Sequence, residues 1–144
     1  MNTTYLSQSN KSKQSKWYLV DAQGYTLGRL STEVAKILRG KNEPSFNPSY
    51  NIRGYVIIVN TEKIDVSGRK RLQKVYHRHS GKPGGLKKET FGELQKRLPN
   101  KIVENAVRKM LPKGRLGRQI FKSLKLYPGP NHPHDAQEPL TIQI

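Results

Sequence analysis

Two short apolar runs on either side of one amphipathic segment most constrain the fold of this chain. The runs are residues 17–20 (WYLV) and 55–59 (YVIIV), and neither alternates with polar residues. Runs of this kind are typical of strands that are covered on both faces, as in parallel sheets. We therefore expect the two runs to be buried neighbours in one sheet. On this basis Val59→Asp should cost several kcal/mol by burying an unpaired charge.

The segment between the two runs has the period of a helix. Its apolar residues form one stripe, and Gly40 follows the stripe where a left-handed cap would end the helix. Basic and polar residues occupy the opposite side. A strand, a helix and a second strand in this order predict a right-handed βαβ unit on a parallel sheet. The apolar stripe consists of Leu27, Leu30, Val34, Ile37 and Leu38.

The second half of the chain favours helices. The glycine-rich residues 81–85 (GKPGG) predict a loop that separates an α/β half from a helical half. Phe91, Leu94 and Leu98 indicate a short helix, and Pro99 suits the first turn of the next one. Helical periodicity then continues over residues 101–110 and 116–125.

Weaker patterns complete the fold prediction. Residues 64–66 and 74–76 are candidates for additional strand pieces, and the proline-rich end, residues 128–144, has no Lys or Arg. We expect this end to be an extended segment laid over the fold. The predicted class is therefore α/β: a small parallel β-sheet with flanking helices, a helical C-terminal half and an extended C-terminal segment.

The domain organisation follows from length and composition. Residues 1–16 are mostly Ser, Thr, Asn, Gln and Lys, which predicts a disordered basic and polar tail. A tail of this composition faintly resembles an organelle transit peptide, but it is short and contains no Arg. Residues 17–144 are expected to form a single domain with one core.

Charge is the strongest functional signal in the sequence. The chain has 27 Lys and Arg against 10 Asp and Glu, a net charge of +17. Eighteen of the basic residues and only three of the acidic ones lie within residues 69–125. Nucleic acid is the usual partner of such a chain. An anionic membrane is the alternative, but no apolar run reaches the length of a membrane span, and no Cys is present for lipidation.

The basic residues divide into two candidate RNA-binding groups. Seven lie on the polar faces of the two predicted helices that Pro112-Lys113-Gly114 joins. Solvated helix faces usually mix both signs of charge, whereas the run from Ala106 to Lys125 contains no acid. This first group is Arg108, Lys109, Lys113, Arg115, Arg118, Lys122 and Lys125.

The second group surrounds the predicted strand piece and the glycine-rich loop. Backbone N–H groups of such a loop can bind a phosphate, although the spacing does not fit a nucleotide-binding motif. Tyr76, His77 and His79 could stack on unpaired bases, and a half-buried strand position for Tyr76 is equally favoured. The group is Arg69, Lys70, Arg71, Lys74, Arg78, His79 and Lys82.

The sequence offers little for catalysis or cofactor binding. The absence of Cys excludes disulfides, thiolate catalysis and Cys-based zinc sites. The pairs His77/His79 and His132/His134 lack the spacing of a known metal motif. No two carboxylates suggest a general acid and base, and no Gly-x-Ser-x-Gly turn occurs. We therefore expect no enzyme activity, no cofactor, no metal and no small-molecule substrate.

Several motifs, in order, resemble those of a known family, the bacterial and organellar ribosomal protein L13 of the large subunit. The resemblance extends from about residue 17 to residue 139. Its most specific part is residues 110–118 (MLPKGRLGR), and its ending is residues 132–139 (HPHDAQEP). The other matching segments are residues 17–22 (WYLVDA), 26–30 (TLGRL), 38–41 (LRGK), 54–60 (GYVIIVN), 74–76 (KVY), 79–81 (HSG) and 84–85 (GG).

The resemblance implies a structural role rather than an enzymatic one. Its expected partners are large-subunit ribosomal RNA and neighbouring large-subunit proteins, with no membrane, and its expected role includes early subunit assembly. Its location would be the ribosome, in a bacterial cytoplasm or a plastid stroma. Two features depart from the family: the tail is long, and Lys109 stands where many members have Gly. An RNA-modifying enzyme and a regulatory RNA-binding module outside the ribosome are the alternative functions.

Overall fold

The computed structural model describes residues 15–44, 46–49 and 54–144. Its elements, in chain order, are β1 (Lys16–Asp21), α1 (Leu27–Arg39), β2 (Gly54–Val59), α2 (Lys70–Gln73), β3 (Val75–His79), β4 (Leu86–Thr90), α3 (Phe91–Arg97), α4 (Pro99–Met110), α5 (Arg115–Phe121), β5 (Leu124–Leu126) and β6 (Leu140–Thr141). Short 3₁₀ turns lie at Thr61–Lys63 and Asp135–Gln137. The predicted tail, residues 1–16, falls almost wholly outside the described residues, and only its last residue belongs to β1.

The predicted α/β class is confirmed. Four parallel strands form one sheet in the order β5-β2-β1-β6, and the helices lie against it. β1 and β2 are neighbours in register, so that Trp17 lies opposite Tyr55 and Asp21 opposite Val59. Ile57 is fully buried, as a central strand requires. In β1 only Val20 is fully buried, whereas Trp17, Tyr18 and Leu19 are partly exposed, so the predicted burial of this run is only partial.

The main core lies on one face of the sheet. Val20 from β1 and Val56 and Ile58 from β2 pack with the apolar stripes of α1 and α4. The apolar stripe predicted for α1 is buried, and its cap is the predicted one, because Gly40 adopts φ 75° and its N–H donates to the Ile37 carbonyl. Glycine adopts this left-handed conformation without steric strain because it has no Cβ atom.

The C-terminal segment covers part of the other sheet face, as an extended segment was predicted to do. Trp17 stacks on Tyr55 with a centroid distance of 4.2 Å, and the His134 ring lies 5.1 Å from Trp17. The Tyr127 hydroxyl lies 2.8 Å from Nε2 of the same histidine. The chain then forms β6, and directly after this strand the Ile142 N–H donates to the Leu19 carbonyl. Aromatic packing and backbone pairing together hold this end on the domain.

Three predictions of local structure were wrong. The helix predicted over residues 116–125 ends at Phe121, and residues 124–126 form β5 on the free edge of β2. Residues 81–85 do not separate two halves of the fold; they are the turn of an antiparallel hairpin, β3–β4. Residues 64–66 form no strand, and Asp65 makes only an isolated bridge to Thr26. Strand β5 and the hairpin both result from strand pairing, which periodicity alone does not reveal.

Helix α3 has a complete capping box, which makes its stability depend on pH. The Thr90 hydroxyl accepts from the Glu93 N–H at 3.4 Å, and the Glu93 carboxylate accepts from the Thr90 N–H at 2.8 Å. The hydrogen bond from the Thr90 backbone lowers the pKa of Glu93 below its ordinary value of 4.5. A lowered folded pKa means that the stabilisation is complete at neutral pH and is lost as the pH falls through the folded pKa.

We expect Thr90→Ala to reduce the free energy of unfolding by about 1 kcal/mol, because the capping box of the first turn is disrupted. Urea denaturation at neutral pH measures this loss. Glu93→Gln should flatten the fall in melting temperature below pH 4.5, the ordinary Glu value. Identical acid profiles for Glu93→Gln and the unsubstituted chain would contradict the proposed role of the carboxylate.

Candidate nucleic-acid interface

A groove of about 740 Å³ lies between the end of α4, the linker at residues 111–114, and α5. Five basic side chains line it: Arg108, Lys109, Lys113, Arg118 and Lys122. All five residues are exposed to solvent. We call this set the groove cations. The two helices and the linker thus bring together five of the seven residues of the first predicted group.

Local packing explains why these cations point to solvent. Ile102, Val103 and Val107 are fully buried on α4, and the basic residues of its last turn follow on the opposite side. Leu111, which is 6% exposed, anchors the linker in the core. Helix α5 then buries Gly117 and Ile120. An apolar stripe on each helix therefore fixes where its polar face points.

Helix α5 approaches the linker very closely. A Cβ atom on Gly117 would lie 1.7 Å from the Pro112 carbonyl oxygen and 2.8 Å from its carbonyl carbon. Both contacts are with backbone atoms, so no side chain could move to relieve them. Only glycine allows α5 to sit this near the linker. The width of the groove depends on this approach.

The positive charge of the groove is not neutralised within the described part of the protein. The ion pairs found there between Lys or Arg and a carboxylate use Lys16, Lys36, Arg71, Arg97 and Lys101, and none of the groove cations. Arg118 makes a local contact, since its Nε donates to the Gly114 carbonyl at 3.4 Å. This weak bond orients the guanidinium, while its two terminal nitrogens remain available to an anion.

The two other residues of the first group lie elsewhere. Arg115, the first residue of α5, is exposed but does not line the groove. Lys125 is in β5, opposite Ile57, and is only partly exposed. Its predicted position on a helical face was wrong, because the chain leaves the helix after Phe121 to pair with the sheet. The groove is therefore smaller and better defined than the predicted surface.

The second predicted group lies on α2 and on the β3–β4 hairpin, and every member is exposed. We call it the hairpin patch: Arg69, Lys70, Arg71, Lys74, Arg78, His79 and Lys82. Pairing of the strands adds Lys87 opposite Arg78 and Lys88 opposite His77. The sequence prediction did not include these two lysines, although their adjacency beside a glycine-rich loop was a usable signal.

Several contacts orient residues of the hairpin patch. The Lys74 ammonium lies 5.4 Å from the centre of the Tyr76 ring. Arg71 is 3.8 Å from the Asp65 carboxylate, and both side chains are largely exposed, so this ion pair contributes little stability. His79 accepts a hydrogen bond from the Gly81 N–H through Nδ1 at 2.9 Å. This bond helps to shape the turn and leaves Nε2 of the ring outside it.

Tyr76 has a structural position, which was one of its two predicted roles. Tyr76 is partly buried and packs on the core, and the centre of its ring lies 6.5 Å from the centre of the Phe91 ring. Burial raises the pKa of its hydroxyl above the ordinary value. A ring packed in this way serves to attach the hairpin to the domain. The imidazoles of His77 and His79 remain exposed on the hairpin.

Some residues of the groove were not predicted from the sequence. Asn105 from α4, Leu111 and Pro112 from the linker, and Phe121 from α5 also line it. The sequence pattern placed Phe121 on the apolar face of a helix, because periodicity cannot distinguish a core position from the wall of a groove, and it singled out neither Leu111 nor Pro112 as apolar contacts. Asn105 carried no signal because it is a single neutral residue within a helix.

The described residues offer neither a clustered metal site nor a membrane-spanning helix. No group of three or more His, Asp or Glu side chains in this part of the chain is placed to hold a metal ion. None of the helices described combines the length and the apolar character needed to cross a bilayer. The two histidine pairs lie on different elements, one on β3 and the other beside Trp17.

Comparison with known proteins gives consistent matches. The family described as Ribosomal protein L13 matches residues 15–133. The chain is 63% identical to "Large ribosomal subunit protein uL13" of Synechocystis sp. over 129 residues, which is 90% of this chain and 85% of that protein. Proteins of the same name are 57% identical in Cyanothece sp., over 100% of this chain and 96% of theirs, and 56% identical in Prochlorococcus marinus, over 100% and 95%.

These matches cover most of the chain, and they agree with the resemblance stated from its motifs. The family consists of structural components of the ribosome and not of enzymes. Cyanobacterial relatives fit a ribosome in a bacterial cytoplasm or in a plastid. The chain therefore belongs to the ribosomal protein L13 family of the large ribosomal subunit.

Proposed function

We propose that this ribosomal protein binds large-subunit ribosomal RNA through the groove cations and the hairpin patch, and that it supports early assembly of the subunit beside neighbouring proteins. The observation that carries the proposal is the groove, where five exposed cations line one concavity without an ion pair in the described chain. Phosphate groups are the anions that ribosomal RNA offers in quantity.

Electrostatics supports this assignment. Bringing like charges together raises the free energy of the folded protein, and a polyanion that replaces its counterions by these cations recovers that energy. Three acidic residues, Glu33, Glu89 and Glu104, form ion pairs with Lys36, Arg97 and Lys101, and none of these three cations belongs to the groove.

The hairpin patch extends the proposed interface to a second site. Two paired strands carry exposed Arg, Lys and His side chains on a two-stranded sheet that is separate from the main one. Two basic surfaces on different elements of one domain suit contacts with two segments of folded RNA. Holding two segments together is the physical basis on which we assign a part in early assembly.

Removal of two groove cations should weaken RNA binding in a salt-dependent way. We expect Arg118→Ala plus Lys122→Ala to reduce the slope of log K against log salt by roughly 1.4 to 1.8, since each lost phosphate contact contributes about 0.7 to 0.9. Filter binding of the purified full chain to a large-subunit RNA transcript, over a series of salt concentrations, measures the slope. The melting temperature should stay nearly unchanged, because both residues are exposed.

The control removes the same charge from α1. Arg29→Ala plus Lys36→Ala deletes two exposed cations outside the groove, one of which already pairs with Glu33. We expect a clearly smaller change in slope. Equal changes in the two double variants would mean that attraction by net charge is diffuse. An unchanged slope for the groove variant would refute the proposed interface.

A further inference from the structure

The groove has a chemical composition that phosphate binding alone does not explain. Besides its cations, it is lined by three apolar residues, Leu111, Pro112 and Phe121, and by the amide of Asn105. Phe121 is partly exposed, although it also packs against the core. An apolar wall inside a cationic rim is out of place in a surface that meets only a sugar-phosphate backbone.

Double-stranded RNA would leave this wall uncovered. Its bases are stacked and paired, so a protein that meets an A-form helix mainly contacts phosphates and 2′-hydroxyl groups. An unpaired base, in contrast, offers an apolar face to the protein and carries its own phosphates alongside. A cleft of about 740 Å³ falls within the range of roughly 300–1,000 Å³ that is typical of sites for small organic molecules.

We propose that the groove holds one unpaired nucleotide of the ribosomal RNA, a bulged or looped-out residue, with its base against Phe121, Leu111 and Pro112. Its phosphates lie against the groove cations. This inference rests on the proposed function and specifies the RNA feature that the groove recognises. The groove combines apolar residues with cations, and this combination favours an unpaired nucleotide over double-stranded RNA as the group that it binds.

Asn105 provides the means to distinguish one base from another. It lies on α4, three and four residues before Arg108 and Lys109, and therefore on the same face of the helix. Its side chain makes no hydrogen bond with any residue that the structure describes between 15 and 144. An amide offers both donors and an acceptor, which is what the hydrogen-bonding edge of a base requires.

Two variants separate the proposed base contact from the phosphate contacts. Phe121→Leu should weaken binding to a large-subunit RNA transcript about tenfold, within the effect usual for loss of one base–aromatic stack. The salt slope should not change, because no phosphate contact is removed. Phe46→Leu is the matched control, an aromatic residue outside the groove, and it should bind like the unsubstituted chain.

Chemical probing of the same transcript identifies the nucleotide. Dimethyl sulfate, which reports unpaired A and C, and a carbodiimide, which reports unpaired U and G, should together show one unpaired base that reacts in the free RNA and is blocked by the unsubstituted protein. Asn105→Ala, which should fold normally because Asn105 is not in the core, should restore reactivity at that base. This second variant keeps the proposal testable if Phe121→Leu destabilises the fold.

The outcomes separate the two proposals. Salt-dependent binding with a footprint that contains only paired nucleotides would overturn the nucleotide site and leave the RNA interface intact. The nucleotide site is equally overturned if the Phe121→Leu and Asn105→Ala variants fold and bind with unchanged affinity. Absence of salt-dependent binding by the unsubstituted protein would overturn the proposed function itself.

Discussion

Val59→Asp should reduce the free energy of unfolding by several kcal/mol at neutral pH. Val59 is 6% exposed at the end of the central strand β2, and its register partner in β1 is Asp21. The new carboxylate would be desolvated and would lie opposite an existing acid in the neighbouring strand. Urea denaturation, followed by circular dichroism, measures the loss.

The charge, rather than the polarity, should account for most of this effect. Val59→Asn is the matched control, because it introduces a polar group of similar shape without a charge. Burial raises the pKa of the new aspartate in the folded state, so the charge penalty is present above that pKa and disappears as the pH falls through it. The two variants should therefore differ at neutral pH and converge in acid. Equal stabilities at neutral pH would contradict this explanation.

Gly117→Ala should have the second largest effect, on both stability and RNA binding. The new Cβ would lie 1.7 Å from the Pro112 carbonyl oxygen, so the linker and α5 must move apart. Overpacking of this kind typically costs about 1–3 kcal/mol. The displacement would also change the spacing between Lys113 on the linker and Arg118 on α5. We therefore expect weaker binding to the transcript even at temperatures where the variant remains folded.

Gly28→Ala provides a close control for this substitution. Gly28, like Gly117, lies in the first turn of a helix, but nothing lies within 4 Å of its would-be Cβ. Alanine is the better helix former by up to about 1 kcal/mol, so this variant should be as stable as the original chain or slightly more so. Normal RNA binding by Gly117→Ala would show that the groove does not depend on the close approach of α5.

The chemistry of the candidate site could be predicted from the sequence more fully than its shape. The concentration of basic residues without acids over residues 106–125 is a property of the composition, and this property alone indicates a phosphate partner. The groove itself required the tertiary arrangement. Whether Phe121 lines a groove or fills a core depends on how far α5 stands from the linker, and Gly117 sets that distance through a contact that periodicity does not reveal.

Some strands could likewise be recognised from the sequence, whereas others depended on tertiary pairing. The predicted runs that became β1 and β2 are apolar enough to be recognised alone, because burial on both faces demands such residues. Strand β4 (Leu86–Thr90) has no such pattern, since it is held by backbone pairing with β3 at an exposed site. The three residues of β5 had an apolar spacing equally compatible with the end of a helix.

The features that the sequence by itself determined are therefore local or compositional. They are α1 with its Gly40 cap, α4 with Pro99 in its first turn, the two central strands, and the basic character of the candidate interface. Only the tertiary structure decided that residues 124–126 form a strand of the sheet and not the end of a helix, which cations share a groove, and where the C-terminal segment lies. The physical reason is that these outcomes depend on partners distant in the chain. A free edge on β2 pairs with residues 124–126, and the ring of Trp17 packs on His134.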